Sequence, residues 1–200
     1  MRGVILTTIL ALTLPLSYGD LVAAQASSTN LAAEHTDACV LLLPSEISTV
    51  VHLPVEKGIR RDAGPQLDGT YDSTCLWFVK SKKAPTLDPQ APLGGRSFVI
   101  LHVIRWPAGS GLVHMFLDSF YQASLQDEIP GKPQPRAIGD DALWWGDGLA
   151  VTRGDVGFGV SVFVSDSTHA RPGIREEQLA HNILKRLDER AENMPPSGER

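Results

Sequence analysis

Apolar and polar positions alternate most clearly at Ser97–Trp106, where Phe98, Ile100, His102, Ile104 and Trp106 interleave with Val99, Leu101, Val103 and Arg105. Successive strand side chains point to opposite faces, and both sets here are mainly apolar, so the pattern predicts a strand covered on both sides. Tyr71–Lys80 reads as another strand, with Cys75, Trp77 and Val79 on one face. Three short strands are expected later, at Ala142–Trp145, Leu149–Arg153 and Val156–Val164, joined by turns at Gly146-Asp147-Gly148 and Gly154-Asp155. Such tight turns favour antiparallel pairing.

Helical spacing recurs in three places. Pro44 suits a first helical position, Glu46 suits the positive end of the dipole, and Ile47, Val50 and Val51 share a face, which predicts a helix over 44–52. Val113, Phe116, Leu117 and Phe120 keep the i, i+3, i+4, i+7 spacing of a second helix, capped by Ser110 and ended before Pro130. Ala180, Ile183, Leu184 and Leu187 form the buried stripe of a third, from Ile174 to Arg190. Gly58 and Asp62–Gly69 read as turns, Lys80–Arg96 as a proline-rich solvated loop, and Ile129–Gly139 as a connector. The elements together predict an α+β fold, an antiparallel β-sheet with helices packed against it.

The N-terminus has a different pattern. Arg2 precedes the uncharged run Val4–Leu16, which is shorter than the roughly 20 apolar residues a membrane span requires. This is the layout of a secretory signal peptide over 1–26, cut after Ala24-Gln25-Ala26, with Gly19 and Ala24 as alternative cleavage positions. The expected organisation is a signal peptide 1–26, a flexible lead-in 27–36, a single domain 37–190 and a disordered tail 191–200. The mature chain is expected to be periplasmic or secreted, with no stable membrane insertion after cleavage. In an oxidising compartment Cys39 and Cys75, the only two cysteines, are expected to pair.

Charge and motifs narrow the chemistry. The net charge is −5 and the cations are scattered apart from Lys80, Lys82 and Lys83, which argues against a nucleic-acid partner. Of six histidines none stands at ligand spacing, and His169 and His181 are twelve positions apart, so no metal and no cofactor are expected. Ser110 lacks the Gly-x-Ser-x-Gly setting that exposes a nucleophile. Asp140 and Asp141 could serve as acid and base, but adjacent strand residues point to opposite faces. Arg153-Gly154-Asp155 spells an adhesion tripeptide, and its glycine and aspartate are equally explained by the turn they make. Trp144 and Trp145 must also face opposite sides; one is expected in the core and the other on the surface as a contact anchor.

The segments Asp37-Ala38-Cys39-Val40-Leu41-Leu42-Leu43-Pro44-Ser45-Glu46-Ile47, Cys75-Leu76-Trp77 and Ile138-Gly139-Asp140-Asp141-Ala142, followed by a Leu- and Ala-rich final helix, resemble a group of exported bacterial proteins. These are small secreted or lipid-anchored actinobacterial domains of unknown function, similar in layout to the extracellular sensor domains of some mycobacterial receptor kinases. The resemblance implies a Cys39–Cys75 disulfide, an α+β sandwich and no catalytic residue to transfer. Leu43 stands where that group has a capping Thr or Ser, and no lipobox cysteine precedes the domain. The functional expectation is an exported non-enzymatic binding or sensing module that contacts an unknown protein or envelope ligand through Trp144 or Trp145. The alternative is a small envelope hydrolase with Asp140, Asp141 and His102 in a cleft. Two of those three side chains within hydrogen-bond reach would favour the hydrolase, and an exposed tryptophan would favour binding.

Overall fold

The computed structural model describes residues 37–61, 64–80, 92–164 and 172–193. The expected signal peptide and lead-in, residues 81–91 of the proline-rich loop, His169 and residues 194–200 of the tail lie outside them. Helices Ala38–Leu41 (α1) and Pro44–Val51 (α2) come first, then strands Ile59–Arg60 (β1), Gly64–Pro65 (β2), Tyr71–Phe78 (β3) and Phe98–Arg105 (β4). Helix His114–Leu125 (α3) leads to Gln134–Arg136 (β5), Asp141–Trp144 (β6), Leu149–Arg153 (β7) and Val156–Phe163 (β8), and Ile174–Asn193 (α4) follows. All the strands belong to one antiparallel sheet in the order β1-β3-β4-β8-β7-β6-β5, with β2 also on β3. The chain is therefore α+β, and no described helix is long and apolar enough to cross a membrane.

One face of the sheet carries the main core. The odd positions of β3 and β4 bring Cys75, Trp77, Val99, Leu101 and Val103 to this side, and Leu149, Val151, Phe158 and Val160 join them from β7 and β8. Leu41, Ile47, Leu179 and Ile183 cover them from α1, α2 and α4. Each large apolar side chain removed from water here is worth about 1.5–3 kcal/mol, which makes this layer the main source of stability. The Cys39–Cys75 disulfide ties α1 to β3 inside it. Gly58 lies so close to the bridge that a Cβ there would meet the Cys75 sulfur at 2.6 Å and Trp77 Nε1 at 2.7 Å.

The second face is covered by α3 alone among the described helices, and only in part. Phe116 and Leu117 pack on Leu143 and Ala150, with Ile104, Trp106, Phe120 and Trp145 around them. Gly157 permits this approach, because a Cβ there would sit 2.8 Å from the Phe116 ring. Ile100, His102 and Ile104 of β4 stay half-buried. The cover expected on both sides of β4 is complete on one side and partial on the other, because α3 packs on Leu143 and Ala150 of β6 and β7 and reaches β4 only at Ile104.

Several boundaries differ from the sequence reading. The connector expected at Ile129–Gly139 contains β5, an edge strand in which Pro135 is tolerated because an edge position need not donate to a further strand. Ile59–Arg60, directly after the turn read at Gly58, forms the short β1, and Gly64–Pro65, inside the Asp62–Gly69 stretch read as a turn, forms β2. Ser110 does not cap α3, whose N-cap is Val113; its hydroxyl instead accepts a long contact from Leu112 N–H at 3.4 Å. Helix α4 runs to Asn193, past the expected Arg190. The α1 turn has no apolar period to announce it and is held by contacts: Asp37 accepts from Cys39 N–H at 2.9 Å and pairs with Arg60, and Ala38 N–H donates to Ser73 Oγ at 3.0 Å.

Candidate functional site

The two tryptophans do take opposite faces, but neither is left as a free surface anchor. Trp144 joins the main core side, against Gly173 at the entry to α4, where a Cβ would come within 3.1 Å of its ring. Trp145 lies on the other side, stacked on Phe120 with ring centroids 4.7 Å apart. Both are half-buried. Adjacent strand positions made the opposition legible; that α3 supplies a partner for Trp145 was not.

The acid, base and histidine of the hydrolase alternative are not brought together. Asp140 accepts from Gly154 N–H at 2.7 Å and from Arg153 Nη1 at 2.9 Å, and these donors, the Gly154 amide first, hold its carboxyl below the usual carboxylate range. Asp141 accepts from the next amide, Ala142 N–H, at 2.9 Å. It shares a face with His102, but β7 and β8 intervene, a lateral gap of about 14 Å at ordinary strand spacing. His102 bonds Asp72 instead, Nε2 to Oδ1 at 2.7 Å. Sequence reasoning missed this pair, which arises because the β3–β4 register sets Asp72 beside Ile104 and hence diagonal to His102. No hydroxyl or thiol among the described residues bonds the imidazole, so the pair lacks the nucleophile contact that acyl-transfer chemistry needs. Among the described residues no three His, Cys, Asp or Glu side chains gather as a metal site, and His181 is exposed on α4.

A cleft of about 310 Å3 does form elsewhere, where the tip of the β7–β8 hairpin meets the end of β4 and the last turns of α4. Its charged walls are Arg105, Arg153, Asp155, Asp188 and Arg190, with Leu187 as an apolar element. The hairpin reverses through Gly154 at φ 56°, a conformation that costs glycine little. Arg153 is fixed on both sides, donating from Nε to Asp188 and from Nη1 to Asp140, each at 2.9 Å. Those carboxylates, Asp188 first, hold its proton even more firmly than usual. The tripeptide at 153–155 is thus not a free adhesion loop, because its arginine is pinned.

Two charges in the cleft have no ion-pair partner among the described residues. The Arg105 guanidinium has no hydrogen-bond or ion-pair partner among the described residues. Asp155 makes no ion pair among them either, and its Oδ1 accepts only a long contact from Gly109 N–H at 3.4 Å. Arg105 stands opposite Val156 across the β4–β8 ladder, so Asp155 is one residue beyond its cross-strand neighbour. Neither protein-family models, nor curated proteins, nor solved structures match this chain.

Proposed function

We propose that the protein is an exported, non-enzymatic binding module, delivered by a cleaved signal peptide to the periplasm or the exterior, that takes a charged envelope ligand or peptide into the Arg105–Arg153–Asp155 cleft. The observation that carries this reading is the Arg105 guanidinium, without a partner among the described residues, in a concave site of small-ligand size. A pre-fixed Arg153 beside it supports the same reading, since a guanidinium already held by two carboxylates loses little freedom on binding. The disulfide is compatible with the proposed compartment. The anchor moves from the tryptophans to the arginines because both indoles are engaged within the fold.

Thermal unfolding of the mature chain against a panel of amino acids, dipeptides, dicarboxylates, sugar phosphates and neutral sugars tests the proposal. At least one charged member should raise the midpoint, by up to the equivalent of about 2.7 kcal/mol at a hundredfold excess over Kd. Arg105→Ala should abolish that shift. No shift with any member, or a shift that survives Arg105→Ala, would remove the cleft as the site.

A further inference from the structure

We propose that the ligand of this cleft is a small zwitterion, with a carboxylate seated on Arg105 and Arg153 and an ammonium seated by Asp155; this rests on the binding reading above and specifies its ligand class. The sign pattern is the first reason. Arg105, Arg153 and Arg190 share the site with Asp155 and Asp188, and Asp140 stands behind Arg153, so the formal charges cancel. A polyanion would meet the Asp155 and Asp188 carboxylates alongside the three guanidinia of the lining. A molecule carrying one charge of each sign meets a complement for both.

The second reason is that Arg105 and Asp155 line one cleft and do not pair with each other. Both side chains border the cleft, so a ligand there can reach one charge of each sign. One or two amino-acid residues span about 3.5–7 Å between their charged groups, the scale of one to two strand spacings. Donors remain for the carboxylate: Arg153 spends Nε and Nη1 on its two aspartates, and its Nη2 has no partner among the described residues.

Isothermal titration of the mature chain with L-alanine, L-alanyl-L-alanine, N-acetyl-L-alanyl-L-alanine, L-alanyl-L-alaninamide and inorganic phosphate separates the possibilities. The free amino acid or the free dipeptide should bind, the arms distinguishing a single residue from a peptide. Acetylation and amidation should each weaken dipeptide binding at least tenfold. Arg105→Ala should weaken binding of the free dipeptide at least to the level of its amide, and Asp155→Asn at least to the level of its acetylated form, with circular dichroism confirming that both variants fold. Phosphate or a blocked dipeptide binding as tightly as the free one, or no heat from either zwitterion, overturns the proposal. If another member of the thermal panel stabilises the protein in an Arg105-dependent way, the cleft stands and the ligand class alone falls.

Discussion

Helix α4 packs charged side chains on two sides, and the elements it meets there treat their charges in opposite ways. Toward α1 and α2, Arg186 donates Nη1 and Nη2 to the Glu46 carboxylate at 2.8 and 2.9 Å, and Nη1 also reaches the Leu41 carbonyl at 3.0 Å. Glu46 in turn accepts from Leu43 N–H at 2.8 Å, doing for the start of α2 what Leu43, with no acceptor of its own, cannot. Toward the hairpin, Arg190 and Asp188 border a cleft that Arg105 and Asp155 also line. The first side spends its charges on holding three helices together beside the disulfide. The second side bridges Arg153 to Asp188 and Asp140 but leaves Arg105 and Asp155 without an ion-pair partner among the described residues.

Breaking the stapled side should give the largest effect. Replacing Cys39 and Cys75 together by alanine frees a loop whose ends are 36 positions apart, and should lower stability by about 3–4 kcal/mol. Urea unfolding of the oxidised protein and the double variant measures it; equal midpoints would mean that the bridge contributes nothing. Arg186→Ala comes next. It removes a two-pronged charged contact from a site where both partners are about three-quarters shielded, 22% and 24% exposed, and should cost about 2 kcal/mol. A loss under half of that would place this pair with ordinary surface pairs and erase the contrast with the hairpin side.

The two sides were unequally legible in the sequence. β3, β4, β7, β8 and the long helices announce themselves by period, because each buries one face against the sheet or a helix, and the disulfide was expected from the even cysteine count and the signal-like N-terminal pattern. β5 was hidden by Pro133 and Pro135, residues that argue against a strand in general and are acceptable at an edge. α1 is too short to show a period and exists through contacts from Asp37 and Ser73. The cleft was illegible for a stronger reason. Arg105, Asp155 and Asp188 come from a strand end, a hairpin tip and a late helical turn, and only the β4–β8 register and the seating of α4 bring them together. Arg153-Gly154-Asp155 was noticed, yet the sequence could not say that its arginine would be pinned and its aspartate left open.

Glu176 tests the entry of the same helix, with an effect near 1 kcal/mol. Its carboxylate accepts from Val162 N–H at 3.2 Å, beyond the last β7–β8 pair at Leu149 and Val160, and the residue is buried. Burial raises its pKa above the ordinary glutamate range against the opposing pull of the local amides. A raised folded pKa means that stability is fully present below the unfolded value of about 4.3 and is lost as pH climbs through the folded one. Glu176→Gln keeps a carbonyl acceptor for Val162 without the ionisation. It should match the wild type near pH 4 and exceed it by about 1 kcal/mol near pH 7. Urea midpoints at both pH values decide, and a variant weaker than wild type at pH 7 would show that the charge at the start of α4 outweighs its burial.

Arg105→Ala should give the smallest change in stability and so sharpens the comparison most. A half-buried guanidinium without a described partner holds nothing together, so its removal should alter unfolding free energy by no more than about 0.5 kcal/mol, in contrast to Arg186 on the other side. Its packing stem is what little remains to lose, and Arg105→Met separates that from the charge. If Arg105→Ala destabilises as much as Arg186→Ala while Arg105→Met does not, the side chain serves the fold through its stem and its charge is still free for a ligand. If both variants destabilise equally, the guanidinium is structural, and the division of labour between the two sides of α4 fails at the residue where it is most exposed to test.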